Sequence, residues 1–323
     1  MIILPNYKNV YFLARGENAK VLRSVGLTLY QKEGNHPKPI PVNVIEDLNE
    51  LPSVDIVILA VKNYSLEEVA EDIFSKFGDK PVILALQNGV ENQKVLPKYF
   101  SKVIYGVVII SAWRDDPGVF GYMVKGYLVI GTLDDDFQSE IREIKNILKL
   151  GITIRILKNI QDAVHTKLIF NLSNAILTLI DYKNIHTSSI PKLRKIIYNY
   201  MLEGIKIVQA KGYKEHRLPG LLPWKSIESA ANEDNEAANK MFITQIHTPG
   251  PNSMEQDKII RHKSESELVY LNGYIIALTD SLGMEAPYNR IIYKLCKKNF
   301  QKKPYQPLDI EVVWKKIIEN IST

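Results

Sequence analysis

The stretch Asp55-Ile-Val-Ile-Leu-Ala-Val61 is apolar at every position after its aspartate and shows no alternation with polar residues. A continuous apolar run of this length predicts a β-strand buried on both faces, as in a parallel sheet covered by helices. Further apolar runs that predict strands occupy residues 9–15, 81–86 and 103–110. Helical periodicity marks the segments between them, at residues 17–24, 66–77 and 91–99. Strands that alternate with helices predict a doubly wound α/β domain, to which we assign residues 1–158.

The second half of the chain has a different pattern. Residues 212–252 are rich in proline, glycine and polar side chains, which predicts a surface excursion. Long helical periodicities with little strand signal occupy residues 163–180, 190–211, 264–282 and 289–301. We therefore assign residues 159–323 to an all-α C-terminal domain.

The composition is that of an ordinary globular protein, with 46% hydrophobic and 24% charged residues in a chain of 323. It excludes a disordered chain, and the presence of one cysteine, Cys296, excludes a scaffold built on disulfides. No apolar stretch approaches the ~18 residues that cross a bilayer, and residues 1–8 are too short and interrupted for a secretory signal. The net charge of +5 is scattered along the chain. We therefore expect a cytoplasmic protein that binds neither nucleic acid nor membrane.

Polar residues follow the predicted strands at the sheet edge where doubly wound domains bind dinucleotides. Arg15 ends the first predicted strand, where an acidic residue would bind the ribose 2′-hydroxyl of NAD and an arginine suits the 2′-phosphate of NADP. Lys62, after the next strand, adds a second positive charge, so we predict NADP as the cofactor. Asn88 follows a buried strand in Gln-Asn-Gly and can present its amide to a ligand, although an ordinary Asn-Gly turn is the alternative.

The sequence lacks one hallmark of a Rossmann domain. Such a domain opens with a strand that leads into Gly-x-Gly-x-x-Gly, whose backbone contacts the cofactor pyrophosphate, and the chain contains no such motif. Residues 1–4 cannot form that strand parallel to residues 9–15, because a parallel connection needs a crossover of about a dozen residues. We expect the first βα unit, roughly twenty to thirty residues, to be missing from the front of the domain.

Residues 165–175 carry the strongest local signal for a site. At about 100° per residue, Lys167, Asn171 and Asn174 lie within about 60° of one another on one helix face. A solvated polar stripe would also explain them. The helix is apolar nearly all round, however, so it should be buried, and buried amides or lysines are costly unless something satisfies them. We predict that these residues bind a ligand and that desolvation tunes the lysine to donate a proton or polarise a carbonyl.

Ser253 and Glu267 add a hydroxyl and a carboxylate near later helical patterns, although taken singly each is typical of a surface residue. No metal site is predicted, because the six histidines lack paired spacing and have no second cysteine beside them. The sequence also contains no nucleophile elbow and no P-loop.

These fragments, in this order, resemble the ketopantoate reductase (2-dehydropantoate 2-reductase) family. The resemblance extends from about residue 9 to about residue 300. It rests on residues 10–16 with Gly26-Leu27, residues 55–62, Leu86-Gln-Asn-Gly89, Lys167-x3-Asn171, Ser253-Met254, Glu267-x4-Asn272-Gly273 and Pro287-x-Asn289. It implies an N-terminal Rossmann domain that binds NADP, and a helical domain for substrate binding or dimerisation. It also implies the NADPH-dependent reduction of 2-dehydropantoate to pantoate, on the route to pantothenate and coenzyme A.

The resemblance also implies a role for each matching residue. Lys167 is expected to be the general acid, and Glu267 to hydrogen-bond near the reacting hydroxyl or Lys167. Asn171 and Asn174 are expected to bind the substrate, with Ser253 at its carboxylate end. Asn88 is expected at the junction of substrate and cofactor, and Arg15 and Lys62 match the basic positions toward the 2′-phosphate.

One departure from the family pattern concerns the substrate. The family commonly places its second helix amide eight residues after the lysine, whereas here Asn174 lies seven residues after it and Ala175 takes the eighth place. Two alternatives to ketopantoate reduction therefore stay open: a reductase of another 2-oxo acid, and a non-catalytic chain that no longer binds nucleotide. A homodimer is compatible with the sequence, which does not define the oligomeric state.

Overall fold

The structure, a computed structural model, describes residues 7–31, 37–123, 126–232, 235–246 and 251–321. The chain divides into two compact units. Unit 1 comprises Met1–Gln87 and Glu91–Ile160, and unit 2 comprises Asn88–Val90 and Gln161–Thr323. Within the described residues, no helix combines the length and the apolarity that a membrane span requires.

Unit 1 is an α/β unit with three sheets. Its strands are β1 (Tyr11–Leu13), β2 (Thr28–Gln31), β3 (Asn43–Ile45), β4 (Ile56–Leu59), β5 (Val82–Ala85), β6 (Val103–Ile109), β7 (Ala112–Asp116), β8 (Val119–Tyr122), β9 (Tyr127–Thr132) and β10 (Thr153–Asn159). Its helices are α1 (Glu17–Ser24), α2 (Leu66–Phe77), α3 (Asn92–Val95) and α4 (Gln138–Leu148). The largest sheet has the order β10-β9-β6-β5-β4 and is parallel except between β6 and β9. The predicted fold class, a mainly parallel α/β domain followed by a helical one, is confirmed.

Among the described residues, the strands β1 and β4 belong to separate sheets. β1 pairs with β3 in a separate two-stranded parallel sheet, while β4 ends the large sheet. In the usual Rossmann order 3-2-1-4-5-6, the first strand lies between the strands equivalent to β1 and β4. No described residue occupies that position, and the prediction about residues 1–4 lies outside the described residues.

The position of β4 at the sheet edge corrects one prediction. β5 is buried at all four residues, as expected of a strand covered on both faces. β4 was predicted to be equally buried, yet Ile58 in its middle is 44% exposed. The apolar run therefore identified the strand correctly and its burial incorrectly, because burial depends on a neighbouring strand that the described residues do not provide.

Unit 2 is helical and consists of α5 (Gln161–Leu179), α6 (Ile190–Ala210), α7 (Trp224–Asn232), α8 (Glu236–Ile246), α9 (Ser253–Glu255), α10 (Leu268–Ser281), α11 (Pro287–Asn299) and α12 (Ile310–Ile321). α5 packs against α6, α10 and α11 around one apolar core. The predicted surface excursion over residues 212–252 is wrong for α7 and α8. These helices bury Trp224, Ile227 and Phe242 in the same core, because their apolar residues recur at helical spacing.

Candidate active site

The helix α5 has two polar faces that point in roughly opposite directions. Counting about 100° per residue, Asp162, His165 and Thr166 lie on one arc of about 100°. The four residues Lys167, Asn171, Asn174 and Thr178 lie on another arc of about 60°, on the other side of the helix. We call the second arc the lysine face. The two faces differ in whether the protein satisfies their polar groups.

Protein groups satisfy the first face. The Asp162 carboxylate accepts a hydrogen bond from the backbone of Lys214 at 2.9 Å, and the Thr166 hydroxyl oxygen accepts one from the backbone of His216 at 3.0 Å. His165 is fully buried and has partners at both ring nitrogens, as described below. This face holds the loop after α6 and carries no unused polar group.

In the first half of the lysine face, polar side-chain groups lack hydrogen-bond partners among the described residues. Among the described residues, the Lys167 amine has no hydrogen bond or ion pair, and burial lowers the pKa of Lys167 from its usual value of 10.5. The Nδ2 of Asn171 is buried and also has no partner among the described residues. An unsatisfied buried donor costs about 1–3 kcal/mol, so such groups in a folded protein call for an explanation. A ligand that accepts hydrogen bonds supplies one.

The far end of the lysine face meets α9. Thr178 donates a hydrogen bond to the Asn252 side chain at 3.4 Å, and that same side chain caps α9 by accepting from the backbone of Met254 and Glu255. Ser253 is the first residue of α9, and its buried hydroxyl has no partner among the described residues. Lys167 and Thr178 are eleven residues apart, or about 16 Å along the helix axis. Ser253 therefore lies toward the Thr178 end of the face.

The turn that contains Asn88 approaches the first turn of α10, which begins directly after Glu267. Asn88 belongs to unit 2, and the adjacent Gly89 has a φ of +84°. A Cβ at Gly89 would lie 2.9 Å from the side chain of Leu271, so only glycine allows this turn to sit against α10. Glu267 immediately precedes α10, is 2% exposed and accepts the backbone N–H of Leu271 at its carbonyl at 3.0 Å. Asn88 and Glu267 both engage other groups within the chain.

The two basic residues predicted to read the cofactor lie in unit 1. Arg15 follows β1, is 70% exposed, and forms an ion pair with Asp72 of α2 at 3.9 Å. An exposed pair at this distance contributes little, so the guanidinium is available to a phosphate. Gly16 opens α1 with a φ of +61°, and the space around its Cβ position is empty. Lys62 precedes the turn at Asn63–Ser65 and already engages other residues.

Unit 1 has residues that suit the 2′-phosphate of NADP, but it lacks the usual motif for the pyrophosphate. The exposed Arg15 beside a glycine at the start of α1 fits the 2′-phosphate, because a helix N-terminus also favours an anion. The pyrophosphate normally contacts a Gly-x-Gly-x-x-Gly turn, and the sequence has no such motif.

One cavity of unit 2 does not coincide with the predicted residues. It has a volume of about 740 Å³ and lies between α6, the loop after it and α7, lined by Tyr213, Lys214 and Trp224 among others. None of the predicted site residues lines it. We place the candidate site on the lysine face because its buried groups lack partners, which is stronger evidence for a ligand than volume alone.

A helical unit with a desolvated, partner-free lysine, joined to a parallel α/β unit with a basic strand end, fits the class of two-domain oxidoreductases. The family described as ketopantoate reductase PanE/ApbA matches residues 4–135, and the family described as its C-terminal part matches residues 159–300. The chain belongs to the ketopantoate reductase family.

Individual relatives are distant. The chain is 25% identical to the 2-dehydropantoate 2-reductase of Archaeoglobus fulgidus over 299 residues, which cover 92% of this chain and 91% of the relative. A PanE/ApbA family ketopantoate reductase from Ralstonia eutropha has a similar fold, with a TM-score of 0.74 at 21% identity over 94% of both chains. D-Mandelate dehydrogenase, solved with NADH and anilino(oxo)acetate, has a TM-score of 0.74 at 18% identity over 92% of both chains. A dimeric ketopantoate reductase from Staphylococcus aureus has a TM-score of 0.63 at 20% identity, over 86% of this chain and 87% of its own.

Ser253 offers a direct test of the idea that the unpartnered groups serve a ligand. Replacing Ser253 with alanine should leave the free energy of unfolding unchanged or raise it by up to about 1 kcal/mol, because a desolvated hydroxyl without a partner is removed. The same variant should raise the KM for a 2-oxo acid about tenfold. Denaturant titration and steady-state kinetics measure the two effects.

Ser189 is the control, because it is a buried serine whose hydroxyl donates a hydrogen bond to Glu311 at 2.9 Å. Ser189→Ala should lower the free energy of unfolding by about 1 kcal/mol and leave the KM unchanged. If Ser253→Ala destabilises the protein as much as Ser189→Ala does, the Ser253 hydroxyl has a structural partner and this part of the site is misassigned.

His165 was not predicted from the sequence as a residue of interest, yet it is the most constrained side chain of α5. Its Nδ1 lies 2.8 Å from the carbonyl oxygen of Gln161, and its Nε2 lies 2.8 Å from the hydroxyl of Tyr274 on α10. Its ring stacks on Tyr213, with centroids 3.6 Å apart. Burial lowers the pKa of His165 from 6.5 to about 4, against smaller opposing contributions from the Gln161 backbone and Asp162.

The lowered pKa of His165 predicts a loss of stability in acid. A histidine that is neutral in the folded state stabilises the fold fully above pH 6.5, and this contribution is lost as the pH falls toward 4. The loss amounts to about 3 kcal/mol. Urea denaturation at a series of pH values should show the decrease, and His165→Gln should remove this part of it. The exposed His186 is the control, since His186→Gln should leave the pH dependence of stability unchanged. If His165→Gln also leaves it unchanged, His165 is not the cause of the loss of stability in acid.

Proposed function

We propose that the protein is an NADPH-dependent reductase of 2-oxo acids and that its substrate is 2-dehydropantoate, which it reduces to pantoate on the route to pantothenate and coenzyme A. The observation that carries the proposal is the set of partner-free donors on and beside the lysine face. Lys167, Asn171 and Ser253 all offer hydrogen-bond donors that no described residue satisfies. A 2-oxo acid presents only acceptors at its reacting end, a ketone oxygen and a carboxylate, and so complements the donors of Lys167 and Asn171, while Ser253 lies toward the other end of the lysine face.

The residues take separate roles in this proposal. When bound, NADPH would supply the hydride that reduces the ketone carbon. Lys167 donates a proton from Nζ to the ketone oxygen, so that the oxygen becomes a hydroxyl and no alkoxide accumulates. Asn171 and Asn174 orient the substrate through their amides, and Ser253 binds the carboxylate end. Asn88 lies where substrate and nicotinamide meet.

Two roles are expected for Glu267, a hydrogen bond near the reacting hydroxyl or one to Lys167. No bond between Glu267 and Lys167 forms in the structure, because the Lys167 amine has no partner among the described residues. We assign Glu267 to a hydrogen bond with the hydroxyl that the reaction creates. Its place at the first turn of α10, together with the Asn88 turn, supports this assignment.

The identity of the 2-oxo acid depends on the departure at positions 174 and 175. Ala175 is fully buried, and its carbonyl oxygen contacts Cys296 of α11 at 3.6 Å, so the eighth position after the lysine faces the core. Asn174 is only partly buried and stays on the lysine face. A shifted amide favours a reductase of a different 2-oxo acid as the second candidate, and the D-mandelate dehydrogenase fold is an example of this architecture acting on another acid.

A comparison of substrates and cofactors tests the proposal. Reduction of 2-dehydropantoate and of phenylglyoxylate should be measured with NADPH and with NADH, by the loss of absorbance of the reduced nicotinamide. We expect the highest kcat/KM for 2-dehydropantoate with NADPH. A preference for the aromatic acid selects the second candidate, and no turnover with either acid supports the non-catalytic alternative. The dimeric relative supports a homodimer, which sedimentation velocity would detect.

A further inference from the structure

The first two turns of α5, which carry Lys167, are held by side chains and not by the helix alone. Asp162 and Thr166 hold the loop at residues 214–216, and His165 bonds to Tyr274. Of these three contacts, the one made by His165 connects α5 to α10, the helix that begins directly after Glu267.

The donor and the acceptor in the hydrogen bond between His165 and Tyr274 follow from the chemistry of the neighbouring groups. The carbonyl oxygen of Gln161 can only accept a hydrogen bond, so Nδ1 of His165 carries the proton. The Nε2 atom of the neutral ring is then an acceptor, and the Tyr274 hydroxyl donates to it. The ring is fixed in one tautomer and, by its stack on Tyr213, in one orientation. A second rotamer or tautomer would break at least one of these contacts.

We propose that His165 and Tyr274 form a positioning pair that sets the rotation of α5 and thereby the place of the Lys167 amine. This proposal rests on the proposed function of Lys167. Lys167 lies two residues after His165, on the opposite side of the helix. Rotating α5 by about 20° would displace a side-chain tip at a radius of 5–6 Å by about 2 Å. A misplacement of about 1 Å can cost about 10²-fold in rate, so the pair should influence turnover without touching the substrate.

The Tyr274→Phe variant tests the positioning pair, because it removes the hydroxyl that donates to His165, together with its hydrogen bond with Tyr213, and keeps the ring. We expect kcat for the 2-oxo acid to fall about tenfold, while its KM changes less than twofold. Tyr305→Phe is the matched control. The Tyr305 hydroxyl also donates to α5, at the carbonyl of Thr178 and 2.6 Å away, but at the far end of the helix. Tyr305→Phe should leave kcat unchanged even if it lowers the melting temperature by a similar amount.

A second measurement determines the pKa of the Lys167 amine and does not require turnover. The intact protein is acetylated with acetic anhydride at a series of pH values, and the acetylation of Lys167 is measured by mass spectrometry after digestion. The pH dependence of the acetylation rate gives the pKa of the Lys167 amine. Tyr274→Phe should raise this pKa toward its usual value, because a rotated lysine is better solvated, and Tyr305→Phe should not. If neither kcat nor the labelling profile distinguishes the two variants, the pair is merely structural and the proposal is overturned. If the original protein shows no reductase activity, the proposed function fails, and the labelling profile still decides whether the pair positions Lys167.

Discussion

Replacing Lys167 with alanine should lower kcat for 2-dehydropantoate reduction by about 10²-fold or more, because a positioned general acid contributes about 10²–10⁴-fold. NADPH binding should be unchanged, since Lys167 lies in unit 2 and Arg15 in unit 1. Stopped-flow turnover and tryptophan fluorescence quenching by NADPH measure the two quantities separately. In the original protein, kcat should decrease at high pH as Lys167 loses its proton. The decrease should occur below pH 10.5, because burial lowers the pKa of this lysine.

Lys195 supplies the control for this substitution. It is an exposed lysine on α6 in the same unit, so Lys195→Ala changes the charge by the same amount without touching the lysine face. Its kcat should be that of the original protein. If the Lys167→Ala variant keeps full turnover, Lys167 is not the general acid. The lack of a hydrogen-bond partner at its amine would then need another explanation.

Replacing Arg15 with aspartate should shift cofactor preference from NADPH toward NADH by roughly tenfold to a hundredfold. A hydrogen bond to a charged group contributes about 1.5–3 kcal/mol, and each 1.4 kcal/mol is a factor of ten in affinity. The aspartate would in addition repel the 2′-phosphate and can accept a hydrogen bond from the ribose hydroxyl of NADH. The ratio of the two dissociation constants, measured by fluorescence titration, is the relevant quantity.

The matched control is Arg142→Asp, an identical change at an exposed position on α4 of the same unit. It should alter the overall charge of the protein and leave the ratio of the dissociation constants unchanged. Equal shifts in both variants would indicate general electrostatic attraction of the more negative cofactor. An Arg15→Asp variant that still prefers NADPH would show that another residue binds the 2′-phosphate.

The sequence predicts regular elements well where one periodic pattern decides them. The helices at Glu17–Ser24 and Leu66–Phe77 begin and end as predicted, because a glycine or a buried apolar stripe marks each of them. Burial was harder to predict, as Ile58 shows, since the exposure of a strand depends on which strand lies next to it. The helices α7 and α8 were missed because their polar and small residues resemble those of a loop.

The candidate site was only partly visible in the sequence. Helical spacing places Lys167, Asn171 and Asn174 on one face, and extending the same count by one turn would have added Thr178. The lack of partners at Asn171 and Ser253 is a property of packing, which no local pattern contains. The bond between His165 and Tyr274 joins residues 109 positions apart in the chain, so it could not be inferred without the fold.

Transfer of deuterium from the cofactor tests the central claim most directly, because it reports the proposed bond formation itself. The protein should be incubated with 2-dehydropantoate and NADPH that carries deuterium at both C4 positions, and the product analysed by mass spectrometry. We expect pantoate with one deuterium, at the carbon that bore the ketone. Absence of deuterated product under conditions where the folded protein remains intact would contradict it.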